Sequence, residues 1–153
     1  MQELKDTQSE ADTRNISIDR VGVKGLRFPI QIQDKLNRIQ STVATVSLAV
    51  DLPEEFKGTH MSRFVEALHQ HGPLLDVHTA LAIPRELLRR LSARRSHVEM
   101  EFPFFRSKNA PVTGIEGLMD YVVRFEMEAE ANNKLADFKL TVIVPVTTPA
   151  PRP

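Results

Sequence analysis

Lys57, His60, Ser62 and Arg63 stand together in the block Lys57-Gly58-Thr59-His60-Met61-Ser62-Arg63-Phe64. A lysine, an imidazole and an arginine flanking a helix start make a favourable place for an anion. Met61, Phe64, Val65 and Leu68 recur at i, i+3, i+4 and i+7, which predicts a helix with one apolar face. Thr59 precedes that repeat as the expected N-cap. Unpaired N–H groups and the helix dipole would make this entrance an anion site. Capping and solvation of an ordinary helix end explain the same residues, and on spacing alone that plainer reading is the stronger.

The rest of the chain must position this block. The helix is expected over about Thr59 to His71, closed by Gly72-Pro73. A second helix follows, with Pro84 in its first turn and Leu87, Leu88 and Leu91 as its buried stripe. Before the helices, Ile16–Val23 and Phe28–Ile32 read as short strands around Gly22 and Gly25, with Pro29 needing an edge or bulge position. Thr42–Leu52 reads as a longer strand that points Val46, Leu48, Val50 and Leu52 one way. After the helices the period returns to two. Val98, Met100, Phe102 and Phe104 form one stripe, Tyr121 to Ala129 a second, and Phe138 to Val144 a third. The fold class expected is α+β, in strand-strand-helix-helix-strand-strand order, with an antiparallel sheet and two helices on one face. Residues 1–14 read as a flexible arm, 15–147 as a single module and 148–153 as a disordered proline-rich tail. Open sheet edges would call for another subunit or domain.

Composition narrows the function classes. Lys+Arg and Asp+Glu both number 20 in 153 residues, so no global field recruits nucleic acid or an acidic membrane. With no cysteine, the chain has neither disulfides nor a thiolate nucleophile. It has no apolar run of membrane-spanning length and no signal-like segment, so a cytoplasmic location is the expectation. The five histidines lack zinc-type spacing, and His69 and His71 diverge on a helix, so no metal ligands are assigned. Arg89, Arg90, Arg94 and Arg95 cluster on the second helix, where a solvated face is favoured over a phosphate or RNA patch. Glu99, Glu101, Glu126, Glu128 and Glu130 fall on the polar sides of two strands, as a solvent face or partners for Arg124. In Phe102-Pro103-Phe104-Phe105, unbroken alternation would turn Phe105 away from its neighbours and toward a partner or ligand.

Several stretches together resemble the N-terminal half of the type IB GTP cyclohydrolases. They are Ile18–Arg27, Gln40–Ala44, Asp51-Leu52-Pro53, Lys57–Phe64, Phe102–Phe105, Pro111-Val112-Thr113-Gly114 and Val144-Pro145-Val146-Thr147. The resemblance covers about Asp12 to Thr147 and implies a tunnelling fold. It implies two modules per polypeptide, homotetramers with active sites at module interfaces, and conversion of GTP to 7,8-dihydroneopterin triphosphate plus formate, which opens the folate pathway. A divalent metal, zinc or similar, is implied as the activator of water. Lys57, His60, Ser62 and Arg63 become candidate substrate contacts, while no catalytic residue is assigned. The family's first cysteine would fall near Ala150, yet Thr147 is followed only by Thr148-Pro149-Ala150-Pro151-Arg152-Pro153. The expectation is therefore a truncated N-terminal half without its metal ligands. The alternative is a non-catalytic oligomerisation or binding module of the same fold.

Overall fold

Two long runs of alternating side chains dominate the first third of the chain, and they pair with each other. In the computed structural model, which describes residues 18–53 and 61–146, β1 (Ile18–Gln33) and β2 (Ile39–Pro53) form an antiparallel hairpin. Asp34 closes its turn by accepting from the Leu36 and Arg38 N–H groups at 2.8 and 3.0 Å. Then come α1 (Ser62–Gln70), the two-residue β3 (Leu74–Leu75), the single turn α2 (Val77–Ala80) and α3 (Ala82–Leu91). The chain finishes the sheet with β4 (Arg95–Asn109), β5 (Glu116–Glu130) and β6 (Asp137–Ile143). The strand order is β3-β1-β2-β4-β5-β6, antiparallel except where β3 joins β1 in parallel.

The architecture is α+β, as expected, but its order differs from the expectation in four places. The two early strands are one. Val23 and Leu26 face Leu48 and Val46, so Lys24-Gly25 makes a bulge, with Gly25 at φ +70°, inside a continuous β1. β3 is too short to have a period, and its parallel pairing makes the sheet mixed. The second helical region is divided by its own caps. Asp76 and Thr79 form a capping box that starts α2, and a separate α3 carries Pro84 in its first turn. Three strands follow the helices, one for each of the three stripes, where the condensed strand-strand-helix-helix-strand-strand order counts two. α3 also ends earlier than the arginine run, at Leu91, with Ser92 in the left-handed region, so Arg95 belongs to β4. Pro29 fulfils its edge requirement, since β1 is flanked by β3 only at Gln31 and Ile32.

One face of this sheet is the core. Ala44, Val46, Leu48, Val50 and Leu52 of β2 are fully buried, beside Val98, Met100 and Phe102 of β4 and Phe125 and Met127 of β5. Against them lie Phe64, Ala67 and Leu68 of α1 and Ile83, Leu87 and Leu91 of α3. Both long helices therefore cover the same face. Ser96, the buried polar residue within this face, donates its hydroxyl to the Pro84 carbonyl at 2.6 Å and so ties α3 to β4. The helices stop short of β6, where Leu140 and Val142 remain half exposed. None of the described helices is long and apolar enough to cross a membrane.

The opposite face is ionic. Arg20 of β1 donates to Asp51 of β2 at 2.9 Å. His97 of β4 sits between Asp51, 3.1 Å from Nε2, and Glu128 of β5, 2.9 Å from Nδ1. A neutral imidazole can donate to one of these carboxylates, and a protonated one to both. Farther along, Arg124 pairs with Glu101 at 2.7 Å and approaches Glu99 at 3.6 Å. Burial pushes the Asp51 carboxyl up, but the hydrogen bonds and positive charge of Arg20 and His97 outweigh it and hold it below its ordinary value.

Two predictions follow from these packings. A Cβ on Gly22 would lie 2.0 Å from the Leu48 carbonyl oxygen and 2.7 Å from Ala49 Cα, both backbone atoms of the paired strand. Gly22→Ala should therefore cost about 1–3 kcal/mol of stability in thermal unfolding of the purified chain; an unchanged melting temperature would show that β1 yields freely. For Asp51 the folded pKa lies below the unfolded one, near 3.8. Its contribution is then complete above the unfolded value and is lost as the pH falls through the folded value. Asp51→Asn should destabilise the chain at neutral pH by about 1–3 kcal/mol and flatten the acid limb below about pH 4. A variant with an unaltered acid limb would refute the pairing as the cause.

Candidate functional site

The residues of the Lys57–Phe64 block fall at the junction between β2 and α1. Lys57 and His60 lie outside the described residues; Ser62 and Arg63 open α1. The helix begins later than its apolar repeat suggests. Its N-cap is Met61, in helical geometry and without a side-chain cap; Thr59, the expected N-cap, lies outside the described residues. The Met61 carbonyl accepts from Phe64 N–H at 3.2 Å. The repeat holds in part. Phe64 and Leu68 are buried and Val65 is half-buried, but Met61 is exposed and Ala67 takes its place on the buried face; Gly72 at φ +71° follows the helix end.

This first turn contains no acidic residue, which leaves the positive end of the helix dipole uncompensated by α1 itself. Ser62 lies at the mouth of an open cleft of about 630 Å³, lined also by Val65, Glu66, His69, Gln70 and Arg90. His69 is held there edge-on to Phe28, with ring centres 5.1 Å apart. Arg63 turns toward α3 instead, where its Nη1 donates to the Arg90 carbonyl at 2.8 Å. The structure thus keeps Ser62 and Arg63 adjacent in the chain but directs them to different surroundings.

Arg89, Arg90 and Arg95 of the arginine cluster are paired. Arg89 bonds Glu86 at 2.5 Å, Arg90 bonds Glu86 at 2.7 Å and Glu66 at 3.0 Å, and Arg95 bonds Glu130. The hydrogen bond from Arg89, reinforced by Arg90 and opposed by burial, holds the Glu86 carboxyl below its ordinary value. A compensated, solvated face describes these residues better than a phosphate patch. Phe105 is exposed, as unbroken alternation requires, and its backbone is gripped by the Gln40 side-chain amide at 2.7 and 2.8 Å.

Of the row Arg20–Asp51–His97–Glu128 only Glu128 is assigned from the sequence, to a solvent face or to Arg124, and it meets His97 instead. The members of the row lie on four strands, and only their register joins them: Arg20 opposite Asp51, and His97 opposite Glu128. The available signal was polar alternation in each strand, which marks a face but not a cluster. Nor does the row form a metal site, since the histidine uses both nitrogens on carboxylates. Among the described residues no three of histidine, cysteine, aspartate or glutamate converge as metal ligands.

Comparison with known proteins gives the family. A family model described as type I GTP cyclohydrolase folE2 matches residues 4–152. A relative from Akkermansia muciniphila, named GTP cyclohydrolase FolE2, is 99% identical over 151 residues, covering 99% of this chain and 57% of its own length. Relatives of the same name from Fervidobacterium nodosum and Methylobacillus flagellatus are 47% and 45% identical over 148 residues, each covering 97% of this chain and 56% and 55% of their own lengths. The chain thus spans about half the length of the curated relatives it matches. These matches correct the family label drawn from the sequence motifs, type IB GTP cyclohydrolase, because the matching model and relatives carry the folE2 description. The chain belongs to the type I GTP cyclohydrolase folE2 family.

Proposed function

We propose that this chain supplies about half of a GTP cyclohydrolase, a hydrolase that converts GTP to 7,8-dihydroneopterin triphosphate and releases formate. The observation that carries this reading is the folE2 family match over residues 4–152, joined to the name its relatives bear. Within the chain, Lys57, His60, Ser62 and Arg63 are the proposed contacts to the substrate triphosphate. Support comes from the first turn of α1, which has no acidic residue and carries a serine and an arginine in succession. Free N–H groups at that end add to the same preference for an anion.

The finer fold reading is a tunnelling-fold module. An almost wholly antiparallel sheet with helices on one face and paired charges on the other supports it. The outer side of β6, which has no strand partner among the described residues, supports assembly through sheet edges, in a cytoplasmic homotetramer. A divalent metal would supply an activated water for attack on the purine ring. The described residues do not form a ligand set for it, so no step is assigned to them through a metal.

The test uses the full-length Akkermansia muciniphila relative, with GTP as substrate and formate release as the readout. Arg63→Ala should raise the KM for GTP about tenfold with kcat changed by less than about threefold, the loss of one charge-assisted contact. An unchanged KM would remove Arg63 from the substrate contacts. A wild-type protein that neither binds GTP nor releases formate would establish the non-catalytic binding module instead.

A further inference from the structure

Among the described residues, no side chain caps the start of α1: Met61 makes no side-chain cap bond, and the first turn carries no carboxylate. Contacts from α3 supply a hold on that turn. α3 has the complementary need at its opposite end, where the last carbonyls have no partner within the helix. The Leu88 carbonyl is satisfied locally by the N–H groups of Ser92 and Ala93. The Arg90 carbonyl is satisfied from α1, by Arg63 Nη1 at 2.8 Å.

The Arg90 side chain completes the junction in the other direction. It runs from α3 back to α1 and donates through Nη1 to Glu66 at 3.0 Å and through Nη2 to Gln70. Its Nε is held on its own helix by Glu86 at 2.7 Å. Only 21% of this side chain is exposed, against 66% for the neighbouring Arg89, which bonds Glu86 alone. One residue therefore accepts from the first turn of α1 through its backbone and donates to the second and third turns through its guanidinium. Such a fork, with donors fixed in a plane, cannot be reproduced by a lysine ammonium.

We propose that Arg90 is a positioning residue, which locks the first turn of α1 onto the end of α3 and so sets where Ser62 and Arg63 present themselves to substrate. This rests on the reading of the α1 entrance as a triphosphate contact. Arg90 itself need not touch GTP. Its effect is on binding geometry, so it acts on KM and not on the chemical step.

The test again uses the full-length Akkermansia muciniphila relative and formate release from GTP. Arg90→Ala should raise KM about tenfold while kcat stays within about twofold, and Arg90→Lys should recover thermal stability but no more than part of KM. Arg89→Ala, which leaves the fork intact, should leave both constants within about twofold of wild type. If Arg90→Ala does not fold, Glu66→Ala combined with Gln70→Ala removes both side-chain acceptors of the Arg90 guanidinium on α1, and should raise KM in the same way. If Arg63→Ala raises KM but neither the Arg90 variants nor the Glu66/Gln70 pair does, the positioning role is overturned and the substrate contact stands. If Arg63→Ala leaves KM unchanged, the contact fails and the positioning role fails with it. A matched fall in kcat and stability without a KM change would also overturn it, showing a purely structural junction.

Discussion

The rest of this structure depends on the burial of one face of β2. Five alternate residues, from Ala44 to Leu52, are removed almost entirely from water, and each of the larger ones contributes roughly 1.5–3 kcal/mol to folding. Because the side-chain period of a strand is two, a slip of one residue would turn this whole stripe to the ionic face and Asp51 into the core. Register is thereby fixed on both sides of β2, toward β1 and toward β4. The helices must then present stripes of matching width, as α1 does with Phe64, Ala67 and Leu68 and α3 with Ile83, Leu87 and Leu91.

Fixing the register also organises the charges. Five glutamates on the polar sides of β4 and β5 would repel one another if they met without cations. Instead the pairing brings Arg124 between Glu99 and Glu101, Lys139 to Glu126, Arg95 to Glu130 and His97 to Glu128. Most of these pairs are exposed and individually weak. Asp51 is different, since its side chain is only 12% exposed and is held by both Arg20 and His97. The ionic face follows from the apolar face and does not compete with it.

What could be read from the sequence follows the same division. Periods of two and 3.6 located the long strands, α1, α3 and the core stripes, because burial on one face leaves its imprint on every second or every third and fourth residue. The bulge at Lys24-Gly25 broke that imprint, and one strand read as two. β3 and α2 are too short to have a period at all. Pairs that depend on register were invisible, among them Arg20–Asp51–His97 and the Gln40 grip on Phe105. The Lys57–Arg63 block stands out by residue type and motif, yet the partner of Arg63 does not, because Arg90 lies 27 positions away in a run that reads as an ordinary solvated face.

Topology draws these separate features to one end of the sheet. β2 delivers the chain at Pro53, where β1 begins and β5 nears its end, since Ile18 faces Pro53 and Arg95 faces Glu130. α1 starts from this end and α3 finishes at it, passing through Ser92 into β4. The Arg94 N–H donates to the Asp51 carbonyl at 3.2 Å and the Ala131 N–H to the Arg94 carbonyl at 2.9 Å, so the α3–β4 turn is stitched to β2 and to the end of β5. The ionic row of Arg20, Asp51, His97 and Glu128 therefore stands on one face of the same end whose other face carries the junction of Arg63 with Arg90. A disturbance of the α3–β4 turn would reach both. The helix-end junction and the ionic row are two faces of a single structural unit, and the turn between α3 and β4 is what joins them.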